Sequence, residues 1–238
     1  MGMSLSNGGL ELDWGGETLL ICPEKAVFWK KRKALFVADT HFGKAATFRK
    51  SGIPVPETSS RDDCLLLEKL VSRTKAETLV FLGDFLHARE GRTEEVRLDL
   101  IAWRERLPKL ELHLVRGNHD LRSGDPWPEL GIQCHPEPWR EYEFELRHHP
   151  VERSSKPYLA GHVHPGFALR EKGGTSLRAP CFQVGEERII LPAFGDFTGL
   201  RKVVPGEGDR IFMTDGREVL EVPARGWKST TPNGKRKV

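Results

Sequence analysis

Five short clusters of aspartate, histidine and asparagine are spaced along the chain, and each one directly follows a strand-like run. Apolar runs at 34–39 (ALFVAD), 78–84 (TLVFLGD) and 110–116 (LELHLVR) have the texture of buried strands. They lead into Asp39-Thr40-His41, Gly83-Asp84 and Gly117-Asn118-His119-Asp120. An alternating stretch at 142–147 leads into His148-His149-Pro150, and a short strand at 157–161 into Gly161-His162-Val163-His164. Where crossover helices join the strands of a sheet, the carboxyl ends of the strands meet along one edge, and sites are assembled there. The pattern therefore predicts an α/β fold with all five clusters on one edge. Of nine histidines, only His113 and His135 fall outside the clusters and outside His87, three residues past Asp84.

The segments between the clusters fit this plan. Residues 59–73 carry a helical pattern, with Leu65, Leu66, Leu70 and Val71 at helical spacing. Residues 93–107 begin with Thr93 as a cap and Glu94 and Glu95 in the first turn, then place Val96, Leu100, Trp103 and Leu107 on one stripe. After Phe167 the texture changes to short strand-like pieces at 176–179, 188–191, 211–214 and 218–222, which reads as antiparallel sheet. The Pro- and Gly-rich stretch 123–138 reads as a loop. A length of 238 residues suits one domain, here 1–222.

Charge separates the remainder. After Glu221 the chain holds Arg225, Lys228, Lys235, Arg236 and Lys237 and no acid. The net charge of +3 becomes −2 once those five are set aside. Residues 223–238 thus read as a basic, disordered tail, either a solubilising end or an aid to binding a polyanion. No apolar run approaches the roughly 20 residues of a membrane span. No secretory signal is seen at the start, and the four cysteines are scattered without a CxxC pair. A reduced, cytoplasmic setting is expected, with no membrane partner.

Taken singly, four of the clusters have ordinary explanations. Asp-x-His is commonly a surface or capping pair, Gly-Asp a turn, and Gly-Asn-His-Asp a turn whose Gly and Asn tolerate positive φ. His-His-Pro fits a solvated strand end. Gly-His-x-His leans to a metal, because imidazoles two residues apart share a strand face. All five together, each at a strand end, point to a metal centre. Carboxylate, imidazole and amide donors suit manganese, iron or zinc rather than a thiolate-selective site.

This ordered set resembles the calcineurin-like metallophosphoesterase superfamily across residues 38–165. The resemblance implies a two-sheet αββα sandwich with helices on its outer faces and two divalent metal ions at the carboxyl edge of the strands. It implies that Asp39, His41 and His164 hold one ion, that Asn118, His148 and His162 hold the other, and that Asp84 bridges them. Either His148 or His149 could serve; His148 is preferred because it follows the strand directly and keeps the His-x-Pro spacing. Many members have a carboxylate where His87 stands. His87 is then a hydrogen-bond partner behind the ligands or, the favoured choice, a contact to the substrate phosphate.

Residues 23–29 (PEKAVFW), 38–49 (ADTHFGKAATFR), 52–56 (GIPVP), 82–88 (LGDFLHA) and 191–199 (LPAFGDFTG) resemble a narrower clade. It comprises the ligase-associated DNA damage response phosphoesterases of the PdeM type. The match then extends over about residues 20–200, and a histidine at His87 becomes the norm. The clade implies a manganese-dependent endonuclease acting on DNA, here expected to be single-stranded, within repair clusters that also hold a DNA ligase and a helicase. Residues 194–199 carry no ligand and read as a packed structural turn. Monomer and homodimer are both left open.

Two ions about 3.5–4 Å apart would clamp the attacking and leaving oxygens of an in-line displacement, with a bridging hydroxide as nucleophile. His119 follows a ligand without being needed as one, which makes it the best general acid; Asp120 either orients its imidazole or caps the next turn. Lys44, Arg49 and Arg89 stand beside ligand motifs as candidate contacts to backbone phosphates, against the commoner case of a solvated cation. Two other functions compete. A phosphodiesterase or phosphatase for a small nucleotide or lipid-linked diphosphate would use the same ions in a closed pocket. A binding module that had lost catalysis would not need all seven ligands.

Overall fold

The computed structural model describes residues 8–55, 59–170, 176–196 and 198–223. The basic tail expected at 223–238 lies outside these apart from Pro223, and Pro56 and Phe197 of the clade motifs lie outside them too.

The first sheet has seven strands in chain order: β1 (Leu10–Trp14), β2 (Glu17–Cys22), β3 (Ala26–Trp29), β4 (Ala34–Val37), β5 (Thr78–Phe81), β6 (Glu111–Val115) and β7 (Gln133–His135). From β1 to β4 the pairs are antiparallel and joined by short turns. Gly15 and Gly16 both take left-handed φ, 60° and 81°, as a two-residue hairpin requires. From β4 to β7 the pairs are parallel, so every link must cross the sheet. The crossovers carry α1 (Lys44–Lys50) and α2 (Ser59–Thr74), then α3 (Glu94–Arg106), then α4 (Asn118–Ser123). Thr93 caps α3 by accepting from Val96 N at 3.3 Å.

The central strands β4 and β5 are apolar but for Thr78, because both faces are covered. One face, with Leu35, Val37, Leu79, Phe81, Leu112 and Leu114, packs under Leu67 and Leu70 of α2 and Leu100 and Trp103 of α3. The other, with Phe36, Ala38, Val80 and Leu82, packs against the second sheet.

That second sheet is built from β8 (Glu145–Leu146), β9 (Tyr158–Ala160), β10 (Pro165–Arg170), β11 (Ser176–Val184), β12 (Arg188–Ile190), β13 (Arg201–Lys202), β14 (Arg210–Thr214) and β15 (Val219–Val222). Its path is β13-β10-β11-β12-β9-β8, with β14 beside β11 and β15 beside β14. Leu146, Leu159, Phe182, Ile189, Leu191 and Phe212 face the first sheet. The result is the expected two-sheet sandwich with flanking helices. Helices α2 and α3 flank the first sheet, while the outer face of the second carries Cys181, Val203, Ile211, Met213 and Val222 from its own strands and loops.

Two expectations change. The late strands are not all antiparallel: β12 runs parallel to β9, and β13 parallel to β10. The stretch at 123–138 is not all loop, since it holds a 3-10 turn at Pro128–Leu130 and the edge strand β7. That strand has only three residues, two of them polar, too few to show alternation.

The sheets are tied together at one edge. Phe194 N donates to Ala38 O at 2.8 Å, and Ala193 bridges to Ala38. Fully buried Glu145 anchors the approach to that edge by accepting from Arg140, Arg147, Ser154 and Ser155. Among the described residues, no helix is long and apolar enough to cross a membrane.

Candidate metal centre

All five clusters leave the carboxyl ends of β4, β5, β6, β8 and β9 and meet at the tied edge. The backbone there is unusual. Eight described non-glycine residues have positive φ, and five of them are Asp39 (54°), His41 (48°), Asp84 (53°), His162 (68°) and His164 (50°). A left-handed conformation costs a residue with a Cβ on the order of 1–2 kcal/mol, so it persists only where the surroundings over-determine it.

The surroundings do so through backbone bonds beyond the strand ends. Asp39 N donates to Gly83 O at 3.1 Å and His41 N to Asp84 O at 2.9 Å, so the first two loops are laced together. Gly83 (φ 84°) leaves room for the imidazole of His148; a Cβ there would lie 2.7 Å from that residue's own Cβ.

Asp120 holds the same loop from beneath. Its carboxylate, 1% exposed, accepts from the backbone N–H groups of Asp84 (2.8 Å), Phe85 (3.0 Å) and Gly117 (2.8 Å). Burial pushes this carboxyl up to about 6. Of the two roles expected for Asp120, orienting His119 is not the one observed: its oxygens are engaged by the backbone, and it caps the turn. His119 is oriented instead by the carbonyl of His87, which its Nδ1 meets. His119 Nε2 then points toward Asp84 Oδ2, 3.9 Å away, and the ring stays partly exposed.

The first group of donors is Asp39, His41 and His164. His41 Nε2 lies 3.3 Å from His164 Nε2, and His164 Nε2 lies 3.4 Å from Asp39 Oδ1. Asp39 is fully buried; its Oδ2 accepts from His162 N, while Oδ1 has no hydrogen-bond partner. Burial pushes His41 down to about 2, so it presents a neutral imidazole.

The second group is Asn118, His148 and His162. His148 Nε2 lies 3.2 Å from Asn118 Oδ1, 3.1 Å from His162 Nδ1 and 3.4 Å from Asp84 Oδ1. His148 Nδ1 donates to Leu82 O at 2.9 Å, which turns Nε2 inward. Burial alone would lower the His148 pKa, but the Asp84 and Asp39 carboxylates outweigh it and raise it to about 9. Asp84 sits between the groups, with Oδ2 3.9 Å from His41 Nε2.

His149 also lies beside this second group, its ring 4.5 Å from that of His162, but it is engaged by an acid. Its Nδ1 lies 2.5 Å from Glu137 Oε1, and Glu137 Oε2 also accepts from the backbone of His148 and His149. Glu137 sits in the stretch expected to be a loop, and nothing in its sequence surroundings marks it.

His87 stacks on His119 with centroids 5.1 Å apart and meets His41 edge-on at 5.2 Å. Burial, then the Lys44 charge, lowers its pKa to about 4. Lys44 is half-buried beside the centre; burial lowers its pKa, against the pull of Asp39 and Asp84. Arg49 pairs with Glu95 of α3 at 3.4 Å, and Arg89 is exposed.

Unshared lone pairs converging around a buried carboxylate repel one another unless a cation lies among them. Asp39, His41 and His164 can hold one metal, and Asp39, Asp84 and His148 lie close enough to share another. The orphaned Asp39 Oδ1 fits that use.

Residues 32–191 match the model of the calcineurin-like phosphoesterases. The chain belongs to that family. It is also similar to a solved structure of the nuclease MPE from Pseudomonas putida, with 38% identity and a TM-score of 0.78, over 90% of this chain and 100% of that one. A phosphoesterase from E. coli, YfcE, aligns over 79% of this chain and 97% of its own at 15% identity and a TM-score of 0.39, too distant to weigh. No curated protein matches. As a calcineurin-like phosphoesterase the chain is a hydrolytic, metal-dependent enzyme, and the 38% identity agrees with the narrower clade resemblance drawn from the motifs.

Proposed function

We propose that this phosphoesterase is a manganese-dependent endonuclease that cuts single-stranded DNA in repair, alongside a DNA ligase and a helicase. The observation that carries the substrate is the match, over nearly the whole chain, to a nuclease. Two divalent ions would supply the positive charge that polarises a phosphodiester and lowers the pKa of a water.

The chain's own residues do the rest. Asp39, His41 and His164 hold one ion, Asn118, His148 and His162 the other, and Asp84 lies between. Asn118 contributes a neutral oxygen, so the centre keeps enough charge to attract a phosphodiester. His119 donates a proton to the departing sugar oxygen from Nε2, with Nδ1 pinned by His87 O. His87 lies against both His41 and His119 and contacts the phosphate. Lys44 at the rim adds a cation for the backbone. Arg49 and Arg89 extend that path, Arg49 once it exchanges Glu95 for a phosphate.

Incubation with circular single-stranded DNA, circular duplex, a cyclic nucleotide and a phosphomonoester, each with manganese, magnesium or zinc, tests this. Cleavage of the single-stranded circle with manganese is expected. Turnover of the cyclic nucleotide or the monoester with the circle left intact would overturn the DNA assignment and leave a small-molecule esterase.

A further inference from the structure

Beside His41 lies a cavity of about 10 Å³ bordered by Thr40, His41, Lys44, Ser60, Asp63 and Thr198. That is roughly the space one water needs. Two of its walls carry chemistry that the mechanism above leaves unused. His41 is 4% exposed, and its Nδ1 has no hydrogen-bond partner. Asp63, on α2, is 5% exposed and makes no ion pair within 4 Å among the described residues. Its carboxyl accepts from the backbone N–H of Asp196, which fastens α2 to the segment after β12. That segment also closes on the ligand loop, since Gly195 N donates to Asp39 O. Gly195 and Thr198 thus do more than pack: they border this cavity beside a ligand.

A histidine that binds metal through one ring nitrogen ordinarily donates from the other, which fixes the tautomer and the ring orientation. His148 does this to Leu82 O. His41 has no such protein partner, yet its Nε2 faces His164 Nε2 at 3.3 Å, so a proton there would block the centre. We infer that Asp63 is a positioning residue for His41, acting through one water held in the cavity. His41 Nδ1–H donates to the water oxygen, and the water donates to the Asp63 carboxyl. The proton is thereby kept on Nδ1, and Nε2 is left bare toward the metal. No bond is made or broken. The inference rests on the two-metal assignment above, and it adds a residue that neither the motifs nor the ligand set contains.

Three measurements on the full chain test it. A high-resolution crystal structure of the manganese-loaded protein is expected to show an ordered water within hydrogen-bond distance of both His41 Nδ1 and an Asp63 oxygen. Nitrogen-15 histidine spectra of the zinc-loaded protein are expected to show a slowly exchanging Nδ1 proton on His41, lost in Asp63→Leu. Asp63→Leu is expected to bind manganese about 10–100-fold more weakly, the usual effect of removing such a support. If that variant does not fold, the two wild-type measurements decide. A dry cavity, or a His41 protonated on Nε2 in the loaded protein, overturns the inference. So does undiminished manganese binding by folded Asp63→Leu. A wild type that binds no metal at all breaks the metal-centre assignment instead, so the two failures are told apart.

Discussion

Two pairs of histidines in this molecule are equally close, and only one belongs to the metal centre. His148 Nε2 and His162 Nδ1 are 3.1 Å apart; so are His113 Nδ1 and His135 Nε2 on β6 and β7. His135 of the second pair stacks on Trp139, with the rings 3.9 Å apart at 5°. The pair sits on regular strands, with no carboxylate within 4 Å among the described residues and no left-handed backbone. Burial lowers the pKa of both its members. In the first pair, Asp84 and Asp39 raise His148 to about 9. Close imidazoles therefore do not make a site. Buried carboxylates, left-handed loops and a carbonyl that fixes the tautomer do.

The largest test removes the carboxylate that the two donor groups share. Asp84→Ala is expected to lower hydrolysis of DNA and of a small aryl phosphodiester alike by about 10³-fold or more, the equivalent of several kcal/mol of charge stabilisation. Bound manganese, measured by metal analysis, should fall below two per chain. Retained metal-dependent turnover would break the claim that carboxylates distinguish the two histidine pairs.

His119 tests the chemistry rather than the charge. His119→Ala is expected to lower DNA cleavage about 10²–10⁴-fold, because the sugar oxygen needs a proton to leave. An aryl ester whose leaving group needs none should be cut within a few-fold of the wild-type rate. Equal losses on both substrates would remove His119 from the acid role and leave it a structural neighbour of Asp84.

Most of the centre was legible because its signals are short-range. A ligand directly after an apolar run, repeated five times, can be seen in one dimension, and the order of the clusters carries the family. What escaped depends on contacts between distant segments. Whether Asp120 faced His119 or the backbone of the Asp84 loop could not be decided from a four-residue motif. The carbonyls of His87 and Leu82 that orient two imidazoles have no sequence signature at all, since every residue has a carbonyl. Glu137 and Asp63 are single acids in unremarkable contexts, drawn to the centre by the chain's path. In the fold, the strands at 10–29 carry little local signal beyond the Gly15-Gly16 hairpin, because they bear no ligands and their apolar residues serve two cores at once. The parallel pairing of β9 with β12 was likewise hidden, since local texture does not report direction.

A smaller effect follows from proton competition. In the metal-free protein His148 holds a proton up to about pH 9, whereas His41 and His162 are lowered and already neutral near pH 7. A metal must displace the proton on His148. Manganese affinity is thus expected to rise about tenfold per pH unit as pH approaches 9, then level off. Stability of the metal-free protein should run the other way. The raised His148 contributes stabilisation that is full below about 6.5 and is lost as pH rises through 9. His113 and His135, being lowered, contribute in the opposite sense: their share is present above 6.5 and lost as pH falls. Titration calorimetry and thermal melts across pH 4–10 separate the two pairs. A slope of zero would contradict the assignment of a proton to His148.

The smallest effect should come from the histidines off the site. His135→Phe keeps an aromatic ring on Trp139 and removes only the hydrogen bond to His113. The expected loss is about 1 kcal/mol, from a single net hydrogen bond. In a chain of this size that is a fall of about 2–4 °C in Tm. Manganese affinity and DNA cleavage should stay within about twofold of wild type, because the pair shares no carboxylate and no ligand loop with the centre. It is the more demanding half of the comparison: a tenfold loss of metal affinity in His135→Phe would mean that β6 and β7 transmit strain into the Asn118 loop, and the two imidazole pairs would then be parts of one coupled network.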